Sequence, residues 1–191
     1  CGGHRDAVEL ALRSPDTDGD GLPDDWETNG VSFDGVFIDL PAMGADPRHK
    51  DIFVHAEWMQ PDPARPAASF KPTARALKIV SDAFLKAPIT TNPDGKPGVR
   101  LHVDAGPDSV MNPLTGRKWG VLSRSTADDL PYQAQTGTLT ATKEYDWTQF
   151  DAIKSRHFAP SMRSAVFHYA VFLNTQPTVP PTPPDTSGLS R

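Results

Sequence analysis

The chain has 191 residues and a net charge of −5, long enough for one domain with a buried core plus extensions. The acidic balance and the lack of any basic cluster exclude a nucleic-acid-binding face, which needs concentrated Lys and Arg. The longest apolar stretch, Ala165 to Leu173, is interrupted by His168 and is too short to span a bilayer. Twenty prolines, about twice the average share, point to an irregular, loop-rich surface.

The chain opens Cys1-Gly2-Gly3, and Cys1 is its single cysteine, so no internal disulfide can form. This start resembles a bacterial lipoprotein after removal of its signal peptide, which would place a lipid anchor on Cys1. A trimmed chain and a fragment that begins at cysteine by chance are the alternatives. Residues 1–15 are read as an N-terminal segment or tether, with a short helix expected over Asp6 to Leu12 and stopped by Pro15.

Residues 16–27 read Asp-Thr-Asp-Gly-Asp-Gly-Leu-Pro-Asp-Asp-Trp-Glu, the pattern of a twelve-residue calcium loop. Asp16, Asp18 and Asp20 fill positions 1, 3 and 5. Asp24 fills position 9, Glu27 supplies a bidentate carboxylate at position 12, and the Leu22 carbonyl serves position 7. Gly21 stands at position 6, where the chain turns sharply. Asp and Gly are also ordinary turn residues, but five carboxylates on ligand positions would repel one another without a cation. Pro23, at position 8, has no N–H to join a second loop, and no second loop occurs, so a solitary structural site is expected in 16–30 rather than a sensor pair. The segment resembles the Asp-rich calcium repeats of extracellular proteins related to thrombospondin type 3 repeats. Extracellular calcium modules bind at roughly 0.1–1 mM, so the loop also points to an exported, extracellular or cell-surface protein.

Residues 31–175 are read as an α/β domain. Val36 to Leu40 is a small strand candidate, and Asp51 to Met59 is a strong one with Ile52, Val54, Ala56 and Trp58 on one face. A proline-rich connection leads to a helix over Thr73 to Lys86, capped by Thr73, with Leu77, Ile79, Val80 and Phe84 as its expected core positions. Asn92-Pro93-Asp94-Gly95 is a turn, and Val99 to Val103 is a second strand. Strand, helix, strand at this spacing predicts a right-handed βαβ unit. Residues 106–145 read as an extended polar insertion with few core positions. A helix is expected over Asp146 to Phe158, a third strand over Ala165 to Leu173, and a proline-rich tail over 176–191.

The six histidines form no His-Glu-x-x-His or inverted zinc motif, and no phosphate-cradling glycine loop or Gly-x-Ser-x-Gly elbow is present. His55 and Glu57 project from one face of the first strand, His102 and Asp104 from the second. They are candidates for an acid–base or metal cluster, or else polar residues satisfied locally beneath a loop.

Several blocks together resemble the front portion of a family of secreted bacterial zinc metallopeptidases. They are residues 16–27, Ala45-Asp46-Pro47-Arg48-His49-Lys50-Asp51-Ile52-Phe53-Val54, Asn92 to Gly95, Leu101-His102-Val103-Asp104-Ala105-Gly106 and Phe167-His168-Tyr169-Ala170-Val171-Phe172. The resemblance implies a partial zincin-like mixed sheet with a βαβ unit, preceded by the solitary EF-hand-like loop. It implies Zn²⁺, and a protein or peptide substrate, only in a longer product that continues into a catalytic helix. No catalytic residue is carried over, because no position here matches the zinc ligands or the glutamate base. The expectation is thus a calcium-binding N-terminal part of an exported metallopeptidase-like protein, inactive alone. The alternatives are a calcium-stabilised surface module with no enzymatic activity and an unrelated enzyme using the His55–Glu57–His102–Asp104 cluster.

Overall fold

The computed structural model describes residues 14–175 and 177, except 34, 126–129, 143 and 159–161. Cys1, the helix expected over Asp6 to Leu12 and nearly all of the 176–191 tail lie outside the described residues.

The acidic loop runs into a short helix, α1 (Asp24–Asn29), as its acidic first turn favours. Gly30 ends it with φ 75°, and its N–H donates to the Trp26 carbonyl at 2.8 Å. A Cβ on Gly30 would lie 2.5 Å from the Phe37 ring, so only glycine fits. Strands β1 (Val31–Phe33) and β2 (Val36–Ile38) form an antiparallel hairpin. The strand expected over Val36 to Leu40 stops early because Asp39 caps a new turn of helix, α2 (Leu40–Met43), accepting from the Ala42 N–H at 3.0 Å.

The central sheet consists of β3 (Asp51–Trp58), β4 (Arg100–Asp104) and β7 (Phe167–Phe172), in the order β4-β3-β7. Both pairings are parallel, with Phe53 opposite His102 on one side and Phe167 on the other. Parallel neighbours need a crossover, and α3 (Ala74–Leu85) supplies it between β3 and β4. Thr73 caps α3 by accepting from the Ala76 N–H at 3.1 Å, as its sequence predicts. Among the described residues this sheet is all parallel and not the expected mixed one. The antiparallel pairs, β1-β2 and β5 (Thr138–Leu139) with β6 (Tyr145–Asp146), are separate two-stranded ribbons. A further α-helix, α4 (Thr148–His157), falls within the expected segment.

The alternation along β3 places its side chains as read from the sequence. Ala56 and Trp58, with Leu101, Val103 and Ala105, pack against Leu77, Phe84 and Phe70 on one face. Phe53 on the opposite face joins a larger core with Leu22, Phe33, Met111, Trp119 and Phe167.

Two expectations need correcting. In α3, Ile79 and Val80 are 60% and 45% exposed, while Ser81 is buried. The sequence holds two overlapping apolar stripes, and the one that carries Leu77 and Phe84 meets the sheet, which turns Ile79 and Val80 to solvent. The stretch from 106 to 145 also gives the core more than its polarity suggests. Met111 and Trp119 are fully buried, and the Trp119 indole N–H donates to the Val103 carbonyl at 2.7 Å.

Ile79→Lys and Val80→Lys are therefore expected to change stability by no more than about 0.5 kcal/mol, the ordinary surface range. Leu101→Ala is expected to cost about 2–5 kcal/mol as a core truncation. Urea denaturation midpoints of the three variants check both statements.

Candidate metal centre

The loop fixes its own carboxylates through the backbone. Asp16 Oδ1 accepts from the Gly19 N–H at 2.7 Å and Oδ2 accepts from the Gly21 N–H at 3.0 Å. Asp18 Oδ1 accepts from the Asp20 N–H at 3.1 Å, and Asp20 Oδ1 from the Leu22 N–H at 2.7 Å. These short-range bonds curl residues 16–22 inward, with Gly19 and Gly21 at φ 76° and 95° where other residues would be strained. The loop is also tied to the domain. Asp20 Oδ2 accepts from the Asp51 N–H at 2.7 Å, the Lys50 ammonium touches the Asp18 carbonyl, and the Leu22 side chain is buried in the main core.

The result is two overlapping acidic groups, Asp16–Asp18–Asp20 and Asp20–Glu27–Asp51, each with oxygens within 4.8 Å of one another. Such groups could hold a metal ion, and all their donors are hard oxygens. Glu27 is 1% exposed, and neither of its carboxylate oxygens has a hydrogen-bond partner; Asp18 Oδ2 is buried and unpartnered as well. Burial, then Asp20 and Asp18, push the Glu27 carboxyl up to about 9. Burial and Asp20 push Asp18 up to about 7, and burial also raises Asp20 and Asp51. A buried carboxylate without a donor is costly, so the residues present fit a cation that would supply the missing partner.

Asp24 differs from the other loop carboxylates. Its oxygens accept from the Thr17 N–H at 2.7 Å and the Thr17 hydroxyl at 2.6 Å, and it joins neither acidic group. Leu22, at position 7 of the loop, is buried.

Of the four residues considered for acid–base chemistry, Glu57, His55 and Asp104 are linked through Arg163, whose Nη1 lies 3.4 Å from His55 Nδ1, while His102 turns to Asp51. His55 Nε2 lies 3.2 Å from Glu57 Oε1, and the Tyr169 hydroxyl donates to Glu57 Oε2 at 2.8 Å. His102 instead bridges Asp51 Oδ1 at 2.6 Å and the Met111 carbonyl at 2.8 Å. Asp104 accepts from Arg163 Nη1 at 2.6 Å, from the Ser123 hydroxyl at 2.6 Å and from the Arg124 N–H at 2.8 Å. Burial alone would raise the Asp104 carboxyl, but Arg163 with these donors holds it below its ordinary value. The Arg163 guanidinium in turn lies over the Phe167 ring, 3.9 Å from its centroid. Among the described residues, neither acidic group includes His55, Glu57, His102 or Asp104.

Asp51, Arg163 and Tyr169 are not among the site residues expected from the sequence, although Asp51 and Tyr169 lie in blocks that carry the resemblance. Only Asp51 left a signal: a carboxylate opening an apolar strand has to find a partner once that strand is central. Arg163 sits far from Asp104 in sequence and nothing local marks the pairing.

The fold and site define an α/β protein with a three-stranded parallel sheet and an acidic cluster at its entry loop. Comparison with protein-family models, with curated proteins and with solved structures finds no match for this chain. No helix among the described residues is long and apolar enough to cross a membrane.

The Arg163–Asp104 pair yields a pH-dependent prediction. Asp104 has a depressed pKa in the folded protein, so its contribution is present above the ordinary carboxylate range and is lost as pH falls through the depressed value. Arg163→Met leaves Asp104 buried without its cation and should cost about 3–5 kcal/mol at neutral pH. The variant can shed that cost by protonating Asp104, so the difference from the unaltered chain should narrow on acidification. Denaturation curves at neutral and acidic pH read both effects.

Proposed function

We propose that this chain is a calcium-binding α/β module of an exported protein, with the cation in a structural role. Asp16, Asp18, Asp20, the Leu22 carbonyl and Glu27 hold the ion, and Asp24 serves position 9, where ligation often runs through a water. The observation that carries this reading is the Glu27 carboxylate, buried with both oxygens unpartnered at the position where a calcium loop uses a bidentate ligand. The backbone bonds to Asp16 and Asp18 support it, since they hold one oxygen of each near one of Asp20. Calcium levels outside cells suit such a loop, which supports an extracellular or cell-surface location.

The wider reading is that the module is the front part of a secreted zinc metallopeptidase-like protein. The block resemblance supports it, as does the strand–helix–strand order of β3, α3 and β4. The module's own residues then provide scaffold, and the zinc ligands and base belong to sequence outside this chain. A surface module without enzymatic activity is the second reading. It is favoured by the full burial and internal pairing of His55, Glu57, His102 and Asp104, which leave no open acid–base pair.

Thermal unfolding in chelator and in millimolar calcium tests the first claim. A hundredfold excess over the dissociation constant adds about 2.7 kcal/mol, or roughly 5–10 °C in Tm for a chain of this size. Asp16→Ala with Glu27→Ala should abolish the difference. An unaltered chain whose Tm does not move with calcium sinks the reading.

Sequencing the source gene past the Arg191 codon separates the two wider readings. A His-Glu-x-x-His helix encoded within the following several dozen residues supports the peptidase. An immediate stop codon removes it and leaves the surface module.

A further inference from the structure

We propose that Asp51, outside the twelve-residue loop, is a ligand of the same cation, so that the ion clamps the loop to the first residue of the central strand. This rests on the calcium reading above and extends it from a local loop site to a tertiary one.

Three observations carry it. First, a carboxylate oxygen of Asp51 lies with those of Asp20 and Glu27 inside a 4.8 Å group, a spacing one divalent cation can bridge at ordinary calcium–oxygen distances. Second, Glu27 is buried with no donor on either oxygen, so this group holds a demand for positive charge that the protein does not meet. The basic side chains nearby, His102 and Arg100 on Asp51 among them, do not meet the Glu27 oxygens. Arg100 forms two 3.1 Å bonds to Asp46 and stays 3.9 Å from Asp51, and Lys50 touches the Asp18 carbonyl. Third, Asp51 is held in place by bonds that leave it coordination capacity. Its Oδ1 meets His102 at 2.6 Å and its Oδ2 accepts from the Asp46 N–H at 3.0 Å, whereas an ionised carboxylate offers about four lone-pair sites. His102 is fixed from behind by the Met111 carbonyl at 2.8 Å. A hydrogen-bonded His behind a ligating carboxylate orients it, as supporting partners do in metal sites generally.

A cavity of about 240 Å³ opens beside this group, walled by Asp20, Asp51, Phe53, Ser164 and Phe167. It has room for the waters that complete a calcium shell of six to eight oxygens. The clamp joins a loop at one end of the chain to a residue whose strand pairs with both β4 and β7. Calcium would thereby reach the sheet through a side chain as well as through the burial of Leu22.

The test is binding of calcium and of terbium, with the luminescence lifetime in H₂O and D₂O counting the waters on the lanthanide. Asp51→Asn should weaken calcium binding about tenfold or more and add about one water to the bound lanthanide, since a carboxylate ligand is replaced. Asp51→Glu, which keeps the charge and the His102 acceptor but moves the oxygens, should also weaken binding, and it carries the test should Asp51→Asn fail to fold. Asp82→Asn, which breaks the exposed Lys78 pair on α3 away from the site, should leave affinity and water number as in the unaltered chain. Asp51 variants that bind with unaltered affinity and water number overturn this inference while leaving the loop site intact. An unaltered chain that binds neither ion overturns the calcium reading itself.

Discussion

The structure depends on how it accommodates a carboxylate in its interior. Glu27 closes the entry loop and is driven inside because Trp26 beside it and Leu22 before it pack on the main core. That burial brings its oxygens to within 4.8 Å of those of Asp20 and Asp51. Two unit charges at such a separation repel by roughly 3–4 kcal/mol even at an effective dielectric constant of 20. A protein gains nothing from this crowding unless protons or a cation neutralise it, and the raised pKa values of Glu27 and Asp18 express the proton alternative. The loop's backbone bonds to Asp16, Asp18 and Asp20 leave the geometry little room to relax by swinging the carboxylates away.

The sheet behind the loop divides its labour between two faces. The face under α3 is dry, with Trp58, Leu101 and Val103 against Leu77 and Phe84. The opposite face mixes aromatic packing with buried polar pairs: His102 with Asp51, Asp104 with Arg163, and Glu57 with His55 and Tyr169. Phe53 stacks on His102 with ring centroids 4.5 Å apart, and Arg163 covers Phe167, so each polar pair is sealed by an aromatic neighbour. Sealing strengthens the hydrogen bonds and makes the loss of any one partner expensive. The same face carries Asp51 to the acidic loop, so the polar network and the candidate metal centre are continuous.

Much of this was legible before any coordinates. The loop pattern, the Thr73 cap, the alternation of β3 and the strand–helix–strand order rest on local rules, because caps, turns and two-residue periodicity are decided by neighbours in sequence. The α3 face was harder to read. Leu77–Phe84 and Ile79–Val80 define competing stripes on one helix, and only the shape of the sheet beneath selects between them. The burial of Met111 and Trp119 in a polar stretch was likewise hidden, since a few anchors suffice to fasten a long loop and composition averages them away.

By itself the sequence determined the acidic loop, with glycines at its sharp turns and carboxylates at alternating positions, and the parallel βαβ core. Both follow from interactions a few residues long or from a hydrophobic period. The tertiary structure alone decided that His102 would turn to Asp51 while Arg163 joined Asp104 to His55 and Glu57, and that Asp51 would meet Glu27. The reason is that a strand's pattern specifies which face a side chain takes but not what covers it. The covering residues, Arg163, Tyr169 and the loop that carries Glu27, arrive from segments remote in the chain.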